Sequence, residues 1–132
     1  RQSTLAKRKL TVPESSVVAP SVSVCYRLTD TDVVSWAQAS EDRNPIHLLP
    51  GRAAAAGLSA GSHGVVAHGL LLGAISLALV QSSPLRRIGL VFIDSADVPV
   101  SQCGTGKPWA TLTVDPASGD IIQGRRPVLR RR

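Results

Sequence analysis

Over residues 21–28 the chain alternates, with Val22, Val24, Tyr26 and Leu28 on one side and small or polar residues between them. A period of two predicts a strand with one buried face. The pattern then lengthens. Asp30 or Thr31 can cap a helix whose first turn carries Asp32, and Val33, Trp36, Ala37 and Ser40 share one of its faces. That helix must stop near Arg43, because Pro45 drives Asn44 out of the helical region. Residues 50–56 read as a short helix ended by Gly57, and residues 58–67 as a loop rich in Gly and Ser. Residues 69–81 form a third predicted helix, apolar nearly all round and so expected to be buried, with Pro84 beyond its end.

The last third of the chain returns to strand patterns. One is predicted over residues 87–93 and a weaker one over 98–103. Over 108–114, Ala110, Leu112 and Val114 alternate with Thr111 and Thr113. Residues 115–120 carry a turn signal, and a strand follows from Ile121. The order is strand, two short helices, a buried helix and an antiparallel meander. This is an α+β pattern, with a sheet wrapped on a central helix. No internal repeat is present.

Composition narrows the class. The 132 residues suit one domain, read as residues 21–132, after a basic and then Ser-, Pro- and Val-rich arm or linker over 1–20. A hydrophobic content of 43% supports a packed core and excludes disorder. A chain this short buries only about two thirds of the surface it exposes when unfolded, so pairing with another copy would help it. The net charge of +6 gathers at the ends: Arg1, Lys7, Arg8 and Lys9, then Arg125, Arg126, Arg130, Arg131 and Arg132. Such ends can attract anions, including the phosphates of coenzyme A, or simply be solvated and frayed. Nucleic-acid binding also needs stacking aromatics. Here Tyr26, Trp36, Phe92 and Trp109 are scattered, and no nucleic-acid partner is expected.

Cys25 and Cys103 lie far apart, which suggests neither a disulfide framework nor a zinc cluster, and points to reduced thiols in a cytoplasmic protein. No signal-peptide pattern is present. The longest apolar stretch, residues 65–80, is interrupted by His68, Gly69 and Gly73 and falls short of the roughly 20 residues a membrane span requires. The chain starts at Arg1 and has no Met, as a piece of a longer protein would.

Two short segments carry the candidate chemistry. In Ser40-Glu-Asp-Arg-Asn-Pro-Ile-His47, Pro45 forces a turn that can bring Asp42 and His47 to one mouth, with Asn44 bonding its own backbone to hold the turn. A carboxylate beside an imidazole can hold a water, and an imidazole exchanges protons near neutral pH. In Val66-Ala-His-Gly69, the glycine opens the apolar helix. Helix starts present unpaired N–H groups, and glycine allows a carbonyl that gains negative charge to approach them. The plainer alternatives are a turn-capping Asp42, a packed His47 and ordinary loop-to-helix packing at Gly69.

Together, Asp42-Arg-Asn-Pro-Ile-His47, Ala53 or Ala54, and Val66-Ala-His-Gly-Leu-Leu-Leu72 resemble the signature of the MaoC-like dehydratases, the (R)-specific enoyl-CoA hydratases of the hotdog superfamily. A fainter likeness covers residues 107–113. The resemblance implies a curved antiparallel sheet around a long central helix, commonly a homodimer or a pairing with a partner hotdog subunit. It implies interconversion of a trans-2-enoyl thioester and an (R)-3-hydroxyacyl thioester, carried by coenzyme A or acyl carrier protein. His47 would be the general base with Asp42 as its partner in proton transfer, although the two roles could be exchanged. Gly69 would donate its N–H to the thioester oxygen, with Asn44 and His68 in support. Neither a metal nor a redox cofactor is implied.

Four features depart from the pattern. Leu70 replaces the usual Met, and the loop over 58–65 is longer and carries His63. Residues 91–107 are shorter by about a strand, so an incomplete sheet is expected. An Arg-rich end from Arg125 stands in for an ordinary last strand. The competing functions are a non-catalytic or partner-dependent hotdog module, a hotdog thioesterase, and a basic nucleic-acid binder. A metal site formed by His47, His63 and His68 matches no common zinc spacing.

Overall fold

The structure is a computed structural model, and it describes residues 22–80, 89–100 and 108–132. The predicted arm over 1–20, together with Pro84, Cys103 and Lys107, lies outside the described residues. Strand β1 is Val24–Leu28, followed by helices α1 Asp30–Ser40, α2 Pro45–Leu48 and α3 Arg52–Ala55. Strand β2 is Gly64–Val66 and helix α4 is Gly69–Leu79. The remaining strands are β3 Leu90–Phe92, β4 Asp97–Pro99, β5 Ala110–Val114, β6 Ile121–Gln123 and β7 Arg126–Arg131. A five-stranded antiparallel sheet runs β1-β5-β6-β7-β3, and β2 pairs with β4 in a second, two-stranded sheet.

The alternation read from the sequence sets the register of the main sheet. Val24, Tyr26 and Leu28 pair with Val114, Leu112 and Ala110, so the inward faces of β1 and β5 coincide. One face of α4 closes over them. Leu71, Leu72 and Ile75 join Leu28, Leu112, Val114, Ile121, Val128 and Leu129 in a single buried cluster. Each such side chain contributes about 1.5–3 kcal/mol by leaving water. The buried Ser76 of α4 donates its hydroxyl to the Gly119 carbonyl at 2.5 Å, tying the helix to the turn between β5 and β6. The expected α+β arrangement of sheet on helix is the one observed.

Several expectations need correction. Helix α1 is capped by Thr29, not by Asp30 or Thr31. The Asp32 N–H donates to the Thr29 hydroxyl at 3.1 Å and the Thr29 N–H to the Asp32 carboxylate at 3.0 Å. The reciprocal bonds satisfy two donors at once, which Asp30 and Thr31 could not do from their positions. The helix ends at Ser40, with Glu41 left-handed at φ 62°. The 58–67 loop contains strand β2. Helix α4 is not buried all round: Leu70 is 67% and Leu77 42% exposed. The Arg-rich end is no tail. It forms β7, inside the main sheet between β6 and β3, because Val128 and Leu129 bury completely while Arg130 stays exposed. Around the stretch expected to be shortened, β3 and β4 have three residues each, and residues 101–107 lie outside the described residues.

Among the described residues, no helix is long and apolar enough to cross a membrane.

Candidate active site

Local geometry brings Asp42 and His47 together. Pro45 occupies the first position of α2, where a missing N–H costs nothing, and the Asn44 side-chain oxygen accepts from the Ile46 N–H at 3.2 Å. This one-turn helix, read from sequence as a plain turn, aims His47 inward, where it is buried. Asp42 stays at the surface, its side chain 55% exposed, with Oδ1 accepting from the Asn44 N–H at 3.3 Å. Asp42 Oδ2 lies 3.9 Å from His47 Nε2. That is beyond a direct hydrogen bond, at about 2.7–3.2 Å, yet close enough for one oxygen atom to contact both groups.

The backbone fixes the tautomer. His47 Nδ1 lies 2.7 Å from the Val66 carbonyl, which can only accept, so Nδ1 carries the hydrogen. In the neutral ring, the Nε2 lone pair therefore faces Asp42. Burial holds the His47 pKa below its ordinary value of 6.5. The Val66 bond opposes that shift, the neighbouring His68 adds to it, and the Asp42 carboxylate opposes it. The balance keeps His47 a neutral base at pH 7.

His68 precedes α4 and stacks on His47, with ring centroids 3.7 Å apart and planes 20° apart. Its Nε2–H donates to the Asp42 backbone carbonyl at 2.9 Å. Among the described residues no side chain caps α4, so its first-turn N–H groups, Gly69 included, have no partner within the helix. Gly69 has a second reason to lack a side chain. A Cβ there would meet three Phe92 ring carbons at 3.1–3.3 Å.

His47 and Gly69 line one cavity of about 390 Å³, walled mainly by Ile46, Leu58, Leu72, Phe92 and Ile93, with Asp94 and Ala96 on one side. A clamp from the far end of the chain holds that side. Arg126 donates to Asp94 Oδ2 at 2.8 Å, to the Ser95 carbonyl at 3.0 Å and to the Gln123 side-chain oxygen at 2.9 Å. The Ser95 N–H, followed by Arg126, holds the Asp94 carboxyl below its usual range.

The sequence reading missed Val66, Phe92 and the Arg126 clamp. Val66 acts through its backbone and leaves no side-chain signal. The apolar Val128-Leu129 inside the Arg-rich end was the available sign that Arg126 belongs to a folded strand. His63 is exposed and does not join His47 and His68. Among the described residues, the group that does converge is Asp42, His47 and His68, each with a possible ligand atom within 4.8 Å of the others.

A helix packed on an antiparallel sheet, with an Asp–His pair beside the helix start, is the arrangement of a hotdog domain. The family model of the MaoC like domain matches residues 9–95, and the chain belongs to that family. Two solved structures share the fold. The R-hydratase PhaJ1 from Pseudomonas aeruginosa, in the unliganded form, superposes with a TM-score of 0.51 at 20% identity, over 83% of this chain and 74% of that one. The (R)-hydratase from A. caviae involved in PHA biosynthesis superposes at 0.52 with 23% identity, over 89% of this chain and 94% of that one. No curated protein matches the sequence.

Proposed function

We propose that this chain is a hydratase/dehydratase that interconverts trans-2-enoyl and (R)-3-hydroxyacyl thioesters of coenzyme A or acyl carrier protein. The observation that carries the reading is a neutral imidazole whose Nε2 lone pair faces a carboxylate 3.9 Å away, on a cavity shared with the start of α4. The (R)-hydratase names of the two structural neighbours agree with it.

In the hydration direction, a water oxygen sits between Asp42 and His47. His47 Nε2 takes one of its protons as the oxygen bonds to C3 of the enoyl chain. The C2–C3 π electrons move toward the thioester carbonyl, and the Gly69 N–H stabilises the oxygen that gains charge. A proton delivered to C2 through the Asp42–His47 pair completes the addition and restores the pair. His47 is the general base in this scheme and Asp42 its proton-transfer partner. Asn44 holds the turn that carries them. The cavity walls suit an acyl chain, and the exposed Arg43 and Arg52 carry the charge a phosphate-bearing carrier would meet. We further place the chain in the cytoplasm, as the exposed, unpaired thiol of Cys25 suits, and in a homodimer or with a partner hotdog subunit, which would cover Leu70 and Leu77.

The test is direct. Crotonyl-CoA mixed with the purified chain should lose its enoyl-thioester absorbance, release no free thiol and yield the (R)-alcohol. Thiol release would identify a thioesterase instead. A folded chain inert on short and long enoyl thioesters would point to a non-catalytic or partner-dependent module.

The pH profile has a defined sign. A base whose pKa is lowered keeps its lone pair to a lower pH and loses it only as pH falls through that lowered value. The acid limb of kcat/KM is therefore expected below pH 6.5. Asp42→Asn removes the charge that favours the imidazolium, so any residual activity should show that limb lower still. A wild-type limb above pH 6.5 would contradict the assignment of His47 as the base.

A further inference from the structure

We propose that His68 is the positioning residue of this site: it holds Asp42 through its backbone and fixes the orientation of His47. The kinetic part of the test rests on the hydratase reading; the structural part does not.

Asp42 lies in the short connection between α1 and α2, and its nearby bonds are local and long. The Asp42 N–H reaches the Ser40 hydroxyl at 3.3 Å and the Asn44 N–H reaches Asp42 Oδ1 at 3.3 Å. The bond that ties this exposed segment to the rest of the fold comes from 26 residues away, from His68 Nε2–H to the Asp42 carbonyl at 2.9 Å. Because a carbonyl only accepts, His68 carries its hydrogen on Nε2, the opposite tautomer to His47.

The His68 ring is also stacked under His47 at 3.7 Å. With Nδ1 tied to Val66 and one face covered, His47 has a single orientation, and its Nε2 is left toward Asp42. His68 is itself only 2% exposed, and its Nδ1 is buried without a partner among the described residues. A buried acceptor left unpaired costs stability, so an apolar residue would serve packing better. The imidazole is accounted for by what its other nitrogen and its face do. Among the described residues, the charged and titratable groups near His47 are Asp42 at 3.9 Å, the stacked His68, and Asp94, which lines the same cavity and is held by Arg126.

Two substitutions separate the two tasks. His68→Phe keeps a ring to stack and removes the donor. His68→Gln keeps a donor and removes the ring. With crotonyl-CoA, His68→Phe should lower kcat about 10- to 100-fold by releasing Asp42, with KM changed less than about twofold and the acid limb raised less than in His68→Gln, because the ring still covers His47 and only the electrostatic influence of His68 is lost. His68→Gln should retain most of kcat but move the acid limb up by several tenths of a pH unit, because His47 loses its cover. Wild-type kcat in His68→Phe would overturn the proposal, and so would equal losses with one pH profile in both variants. Imidazole ¹⁵N shifts of the wild type test it without turnover: His68 should be the Nε2–H tautomer and His47 the Nδ1–H tautomer. The opposite tautomer at His68 would sink the positioning role. A wild type with both expected tautomers that hydrates no enoyl thioester would instead sink the hydratase reading alone.

Discussion

Replacing His47 with Gln should lower kcat for crotonyl-CoA hydration by roughly 10²–10⁴-fold, the usual range for losing a positioned general base. That corresponds to about 2.7–5.4 kcal/mol of lost transition-state stabilisation. Gln is the informative choice. The Val66 carbonyl takes a hydrogen from the buried His47, and an amide N–H can still supply it, whereas Ala would leave that carbonyl unpaired at a cost of about 1–3 kcal/mol in stability. Asp42→Asn should cost a comparable factor. It should also leave folding nearly untouched, because the Asp42 side chain is mostly in water. If the two act on one water, the double variant should lose little more than the worse single one. Multiplying losses would mean independent roles. Steady-state rates at saturating substrate, with circular dichroism to check folding, decide the matter. Near-wild-type rates in both single variants would remove the pair from the mechanism.

The pair was visible in the sequence for a physical reason: the turn that joins its two residues is local. Asn44 and Pro45 force the chain to turn within five residues, whereas the bond that holds Asp42 in place, from His68, comes from 26 residues away and left no sign in the sequence. The tautomer was hidden because it depends on the Val66 carbonyl, 19 residues away and without a side-chain signature. The clamp on the cavity wall was hidden for a related reason. Arg126 reaches Asp94 across 32 residues, from a segment whose charge masked its strand. Charge density describes what a face shows to water, whereas Val128 and Leu129 describe what it buries; in β7 the second decided the structure.

The sheet followed the same rule. Strands β1 and β5 were legible because alternation over five residues or more leaves one buried face, and the pairing of Tyr26 with Leu112 joins two such faces. Strand β2 has only three residues, all buried on both sides, so it has no alternation to read. Helix α4 looked buried all round because its composition is uniform. Composition alone could not distinguish Leu72, inside the core, from Leu70 on the uncovered side.

The second large effect concerns that core. Leu112→Ala should destabilise the fold by about 2–5 kcal/mol, since Leu112 is fully buried in the strand that β1 and β6 flank and α4 covers. Domains of this kind are stable by only about 5–15 kcal/mol, so such a loss consumes a large share and should lower Tm by roughly 10 °C or more. Urea melts should show a lower midpoint with an unchanged slope, the sign of a cavity in an otherwise intact fold. A loss below about 1 kcal/mol would mean that the helix does not pack on β5 as described. Leu70→Ala, on the same helix, is the informative contrast. At 67% exposure it should cost less than about 0.5 kcal/mol if that side of α4 faces water. A cost above about 1 kcal/mol, growing with protein concentration, would instead show that a second chain covers Leu70, because anything that binds only the folded state adds to its stability by mass action. Measured together, the two leucines separate what holds the domain closed from what holds two domains together.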